Sequence, residues 1–94
     1  MVFDWDNKKN DFLKLNRKIS FERIVIAIES GDLVDILEHT NKEKYNHQYL
    51  ILVKIDGYVW VIPCIVDGNK YFMKTAYPSR KFTKIYLNGT IHEN

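Results

Sequence analysis

The run Gln48-Tyr49-Leu50-Ile51-Leu52-Val53-Lys54-Ile55-Asp56-Gly57-Tyr58-Val59-Trp60-Val61-Ile62-Pro63-Cys64-Ile65-Val66 decides the fold. Two β-branched and aromatic stretches, Gln48 to Ile55 and Tyr58 to Val66, flank Asp56-Gly57, the dipeptide that best suits a two-residue hairpin turn. Such a turn pairs Ile55 with Tyr58, Val53 with Trp60 and Ile51 with Ile62 on one face, and leaves Leu52 and Val61 on the other. Apolar residues on both faces predict a central hairpin covered on both sides. Pro63 cannot donate to a ladder, so a bulge or a locally unpaired edge is expected beside it.

Working outward, Asp67-Gly68-Asn69 predicts a second turn into a strand from Lys70 to Tyr77, and Leu33 to Glu38 reads as the strand before the hairpin. Between them lies a polar loop, His39 to Asn46. Ser20 suits the cap of a helix from Phe21 to Ser30, whose Phe21, Ile24, Val25 and Ile28 recur at helical spacing, with Gly31 at its stop. Asp6 can cap an earlier helix through Lys18, in which Phe12, Leu15 and Ile19 form the expected apolar stripe. Val2 to Trp5 reads as a short strand before it. After Pro78, Ser79 can cap a short helix to Leu87, which Asn88-Gly89 ends before a five-residue tail. The expectation is a single α+β domain over residues 1–94, with two N-terminal helices packed on one side of an antiparallel sheet of three to four strands.

Composition restricts the function class. The 94 residues are 46% hydrophobic and 14% aromatic, the composition of a globular domain. The one cysteine, Cys64, lies in an apolar run, which points to a buried thiol and a reducing compartment. The longest apolar run, Tyr58 to Val66, is too short to span a bilayer, where about 20 residues are needed. Acids at Asp4 and Asp6 stand where a secretory signal carries positive charge, so a soluble cytoplasmic protein without membrane contact is expected.

The net charge of +2 is unevenly spread: residues 1–67 carry nine Lys or Arg against eleven acids, whereas residues 68–92 carry five cations and no acid. In Lys70-Tyr71-Phe72-Met73-Lys74-Thr75-Ala76-Tyr77-Pro78-Ser79-Arg80-Lys81-Phe82-Thr83-Lys84, cations and rings interleave at a strand end. Cations meet phosphates and rings stack on unpaired bases, so the segment suits single-stranded nucleic acid. It equally fits a solvated edge strand whose lysines oppose sheet-to-sheet pairing.

No Walker loop, dinucleotide fingerprint or Cys-x-x-Cys occurs, and His39, His47 and His92 lack metal-ligand spacing. Asp32, Asp35 and Glu38 alternate faces if extended, which disfavours a metal cluster. No cofactor or metal is therefore expected. Glu38-His39 pairs a carboxylate with an imidazole that titrates near neutral pH; a water-exposed loop histidine is the plainer alternative.

Three segments carry a resemblance. Phe3-Asp4-Trp5-Asp6-x-x-Lys9-Asn10, Ile19-Ser20-Phe21-Glu22 and Lys74 to Lys84 resemble, in the same order, segments of the BrnT family of toxins from type II toxin–antitoxin systems. The resemblance implies a RelE-like fold and a metal-independent ribonuclease that inhibits growth by cleaving RNA. It also implies a cognate antitoxin encoded nearby, with which the chain forms a hetero-oligomer. Such cleavage uses the 2′-hydroxyl as nucleophile and needs a base, an acid and fixed positive charge at the phosphorane-like transition state. Arg80 is the candidate for that charge, His39 with Glu38 for proton transfer, and Lys74, Ser79, Lys81 and Lys84 for the RNA backbone. Tyr77 or Tyr45 could stack a base. The alternative is a non-catalytic module whose basic C-terminal face binds nucleic acid or an acidic protein partner.

Overall fold

The computed structural model describes residues 1–39, 41, 43–44 and 47–88. The elements run β1 (Val2–Trp5), α1 (Asn7–Arg17), α2 (Phe21–Glu29), β2 (Leu33–Glu38), β3 (Gln48–Ile55), β4 (Tyr58–Asp67), β5 (Lys70–Met73), β6 (Tyr77–Pro78) and α3 (Arg80–Thr83), which continues as a π-helical turn, Lys84–Asn88. The sheet order is β1-β5-β4-β3-β2, with β6 pairing β4 beyond the end of β5.

The central hairpin forms in the register its sequence predicts, with Ile55 opposite Tyr58, Val53 opposite Trp60 and Ile51 opposite Ile62. Asp56 and Gly57 both have positive φ, 53° and 75°, as a turn matching the strand twist requires. Its two faces feed two cores. Ile51, Val53, Ile62 and Cys64 join Leu13, Ile19, Phe21, Ile24 and Ala27 beneath α1 and α2, the first face. Leu52, Val59 and Val61 lie on the second face, against Phe82, Tyr86 and Leu87.

Two expectations need correction and a third is extended. The sheet has six strands and is mixed, because β1 pairs β5 in parallel, Val2 opposite Lys70 through Trp5 opposite Met73. No turn joins β1 to β5, so no local signal sets their relative direction. The two N-terminal helices do pack on one face, and α3 adds cover on the second face of the same apolar hairpin. In α1 the stripe Phe12–Leu15 points outward: Leu15 is 75% exposed and Leu13 is fully buried. The inward side is Asn10, Leu13 and Arg17, whose polar members find partners. Asn10 Oδ1 accepts the Phe21 N–H at 2.8 Å and its Nδ2 donates to Glu22 Oε1 at 2.7 Å.

The predicted strand from Lys70 to Tyr77 is interrupted at Lys74–Ala76. Between the pairs Cys64 with Met73 and Val61 with Tyr77, β4 advances three residues and its partner four, so one extra residue is accommodated there. Pro63 sits opposite this interruption: Lys74 N–H donates to Pro63 O at 2.8 Å, and the missing Pro63 donor faces the same side. The hairpin's proline is thereby matched to a bulge in the neighbouring strand. The chain's helix after Pro78 starts where Ser79 predicts, with Ser79 Oγ accepting the Phe82 N–H. Tyr45, Gly89 and the tail 90–94 lie outside the described residues, as does part of the 39–46 loop.

Candidate nucleic-acid interface

Strand alternation assigns the side chains of β4, β5 and β6 to faces. Cys64, Val66, Tyr71 and Met73 belong to the first core, so Ile65, Phe72, Lys70 and Lys74 take the second face. Tyr77 joins them because of the bulge. In an uninterrupted register residue 76 would stand opposite Val61; the extra residue instead buries Ala76 in the first core and turns Tyr77 to the second face. The bulge is tied down from the other side of the sheet, where Arg17 Nη1 donates to Ala76 O at 2.6 Å and to Thr75 Oγ1 at 3.4 Å.

On the second face, α3 and its π turn cover Leu52, Val59 and Val61 but leave the β5 side open. Ile65 is 40% exposed, Phe72 37% and Tyr77 38%, with Lys70 and Lys74 exposed along the same strand. Ile65 and Phe72 are direct cross-strand partners. The surface is therefore a sheet platform with two accessible rings spaced along a line of lysines, chemistry suited to stacked bases and a phosphate chain. Two acids border it: Asp4 stands beside Phe72 on β1, and Asp67 stands opposite Lys70.

The adjoining helix adds charge from its outer side. Arg80, Lys81 and Lys84 are exposed, whereas Phe82, Tyr86 and Leu87 face the sheet. Lys81 Nζ lies 5.7 Å from the Phe82 ring centre, over its own helix. Ser79 has a structural part in this arrangement. Its hydroxyl caps α3, its N–H donates to Val59 O at 2.9 Å, and its carbonyl accepts from Thr83 Oγ1 at 2.7 Å. The Thr83 hydroxyl in turn accepts the Val59 N–H at 2.8 Å, so α3 is stitched to β4 at one residue.

Glu38 and His39 are neighbours in sequence with different surroundings. Glu38 stands opposite Tyr49 and so belongs to the first face. His39 N–H donates to Gln48 O at 3.0 Å, which extends the cross-strand row Gln48, Ile65 and Phe72 to the second-face side of β2. His39 Nδ1 accepts the Asn41 N–H at 3.1 Å. Arg80 follows Pro78, which pairs Trp60, five residues along β4 from Ile65. With three strand spacings between β6 and β2, the backbones at His39 and Pro78 are on the order of 20 Å apart. Arg80 and His39 thus stand at opposite corners of the second face, with Leu52, Val61 and the α3 side chains that cover them between, while Phe72, Lys74 and Tyr77 follow the β5–β6 edge.

Elsewhere the titratable groups have structural explanations. Burial pushes the Cys64 thiol up to about 12, leaving it inert. The Tyr86 hydroxyl is raised above its ordinary range by donating to Asp35 Oδ2 at 2.8 Å, with partial burial and the Asp35 charge adding to the effect. Among the described residues, no group of three His, Cys, Asp or Glu side chains is placed to hold a metal ion. Nor is any described helix long and apolar enough to cross a membrane.

Phe72, Ile65 and Lys70 complete the platform without having been singled out as site residues; the alternation in Lys70-Tyr71-Phe72-Met73-Lys74 already carried that signal. Arg17 carried none, because its role depends on the bulge 58 residues away. Comparison with known protein families, curated proteins and solved structures finds no match to this chain.

Proposed function

We propose that the protein binds single-stranded RNA on the second face of its sheet and acts as the toxin of a type II toxin–antitoxin system, cleaving RNA without a metal ion. The observation that carries the reading is the pair of accessible rings, Phe72 and Tyr77, set among Lys70, Lys74 and the α3 cations Arg80, Lys81 and Lys84. The resemblance of the Trp5, Ile19 to Glu22 and Lys74 to Lys84 segments to BrnT toxins supports the toxin assignment. Those first two segments meet in space: Trp5 stacks on Phe21 at 5.6 Å, and Asn10 joins Phe21 to Glu22. They hold β1 and the two helices together, so the resemblance there concerns the fold more than the chemistry.

In this reading Lys70, Lys74, Lys81 and Lys84 hold backbone phosphates, and Arg80 presents a planar, permanently charged fork to the phosphate being cut. Attack by the 2′-hydroxyl needs a base beside it, and His39 is the proposed proton-transfer group on the platform's side of the sheet. Glu38, beside His39 in sequence and on the opposite face of β2, is the proposed positioning residue for that imidazole. A small antitoxin, encoded nearby, would neutralise the protein by covering the same basic face in a hetero-oligomer.

The test is growth. Expression without antitoxin arrests growth, and Arg80→Ala relieves the arrest while leaving the thermal transition unchanged. Undiminished toxicity of Arg80→Ala would remove Arg80 from the site. The second reading, a binding module that breaks no bond, is favoured by the separation of His39 from Arg80. RNA that is retained but uncut by purified protein supports it.

A further inference from the structure

We propose that the open cleft between the end of α1 and the start of α2 is a phosphate-binding site, distinct from the sheet platform, that receives the backbone of the same RNA strand. Its RNA-backbone part rests on the RNA-binding reading above. The cleft is a shallow, open groove of about 450 Å³ lined by Lys14, Lys18, Ile19, Ser20 and Arg23. Three of its five lining residues are cations, and none is an acid. Like charges gathered in one concavity repel each other and raise the local concentration of anions. An ammonium pair with a guanidinium matches the charge and donor geometry of a phosphate group.

Two further observations support it. Lys18 occupies the left-handed region, φ 56°, at the end of α1, a position that glycine or asparagine fills at lower cost. A lysine there holds its ammonium at the cleft against a backbone preference. Glu22 borders the cleft: its carboxylate accepts from Asn10, and that bond, its own backbone N–H, Lys14 and Ser20 together hold its pKa below the ordinary value. One carboxylate against three cations leaves the cleft positive.

Arg17 ties the helix that carries the cleft to the bulge beside the platform. Arg17, between Lys14 and Lys18, reaches Thr75 and Ala76 at the bulge, and Lys74 leaves that bulge on the second face. β1 stops at the Trp5–Met73 pair, and β6 pairs only β4 among the described strands. No strand therefore stands between the cleft and the platform at that edge, and a flexible chain can pass from Lys74 and Tyr77 over Arg17 to Lys14, Lys18 and Arg23.

Two measurements on the full chain test this. The first titrates inorganic phosphate and follows backbone amide resonances: those of Ser20 to Arg23 are expected to move in the wild type and to stay still in a Lys14→Gln, Arg23→Gln double variant. Immobile wild-type amides overturn the site. The second measures binding of a 2′-O-methyl oligouridylate, which lacks the nucleophile and cannot be cut. The double variant is expected to bind about tenfold more weakly, with a salt slope reduced by about 1.4, since each lost single-strand phosphate contact removes about 0.7. Lys18→Gly serves as the folding control, raising the melting temperature while weakening binding. If Phe72→Ala weakens RNA binding and the cleft variants do not, the cleft inference fails and the RNA reading stands. If phosphate moves the amides but the wild type binds no oligonucleotide, the RNA reading and the backbone track both fail, and a free phosphate compound is the cleft's ligand.

Discussion

At the scale of single residues, Leu13 and Leu15 show how two identical side chains in one helix acquire unrelated roles. Leu13 is enclosed by the core that Phe21 and Ile24 share, whereas Leu15 is mostly in water. Leu13→Ala is expected to cost about 2 to 5 kcal/mol, and Leu15→Ala less than about 0.5 kcal/mol, in urea unfolding. Equal costs would show that α1 packs on its other side. The sequence alone favoured the wrong side because Asn10 and Arg17, which flank Leu13 on the inward face, are polar. Their burial is possible only through partners remote in the chain, Phe21 N–H and Ala76 O. Cys64 offers a second test. The unfolded thiol ionises near its ordinary value of 9.0, while the folded one stays protonated to about 12. Its contribution is therefore intact below pH 9 and declines as pH rises between those values, by at most about 1.4 kcal/mol per pH unit. The stability difference between wild type and Cys64→Ala should shrink on going from about pH 8 to about pH 10.5, measured by urea midpoint; a constant difference would place Cys64 in water.

At the scale of elements, the parts that the sequence made legible are those whose signals are local. The Asp56-Gly57 turn fixes its own register, the Ser20 and Ser79 caps fix helix starts, and Pro63 announces an irregularity beside it. Parallel addition of β1 and the passage of α3 to the second face depend on partners far along the chain, and no periodicity within either segment encodes them. The candidate site divides in the same way. Lys74, Arg80, Lys81 and Lys84 were legible from charge, whereas the turning of Tyr77 onto their face depends on a bulge whose position is set by Pro63 on another strand. Docking of α3 rests on Thr83, whose hydroxyl serves both Val59 N–H and Ser79 O from a buried position. Thr83→Val keeps the shape and leaves the Val59 donor unpaired, at an expected cost of about 1 to 3 kcal/mol by urea denaturation. A neutral effect would mean that α3 is held by Phe82, Tyr86 and Leu87 alone.

At the scale of the whole molecule, one six-stranded sheet separates two surfaces with different tasks. The first face buries most of the core beneath α1 and α2. The second is only partly covered, and the uncovered part is where rings and cations are interleaved. Leaving Phe72, Ile65 and Tyr77 accessible forgoes burial, and apolar exposure rimmed by charge is characteristic of binding surfaces. Charge asymmetry along the chain becomes asymmetry in space because β5, β6 and α3 are consecutive and adjacent. The most direct measurement incubates purified protein with single-stranded RNA in EDTA and follows both retention and length of the RNA. The account predicts salt-sensitive binding and cleavage that leaves 2′,3′-cyclic phosphate ends, both weakened by Phe72→Ala; RNA that stays unbound and intact at low salt would contradict it.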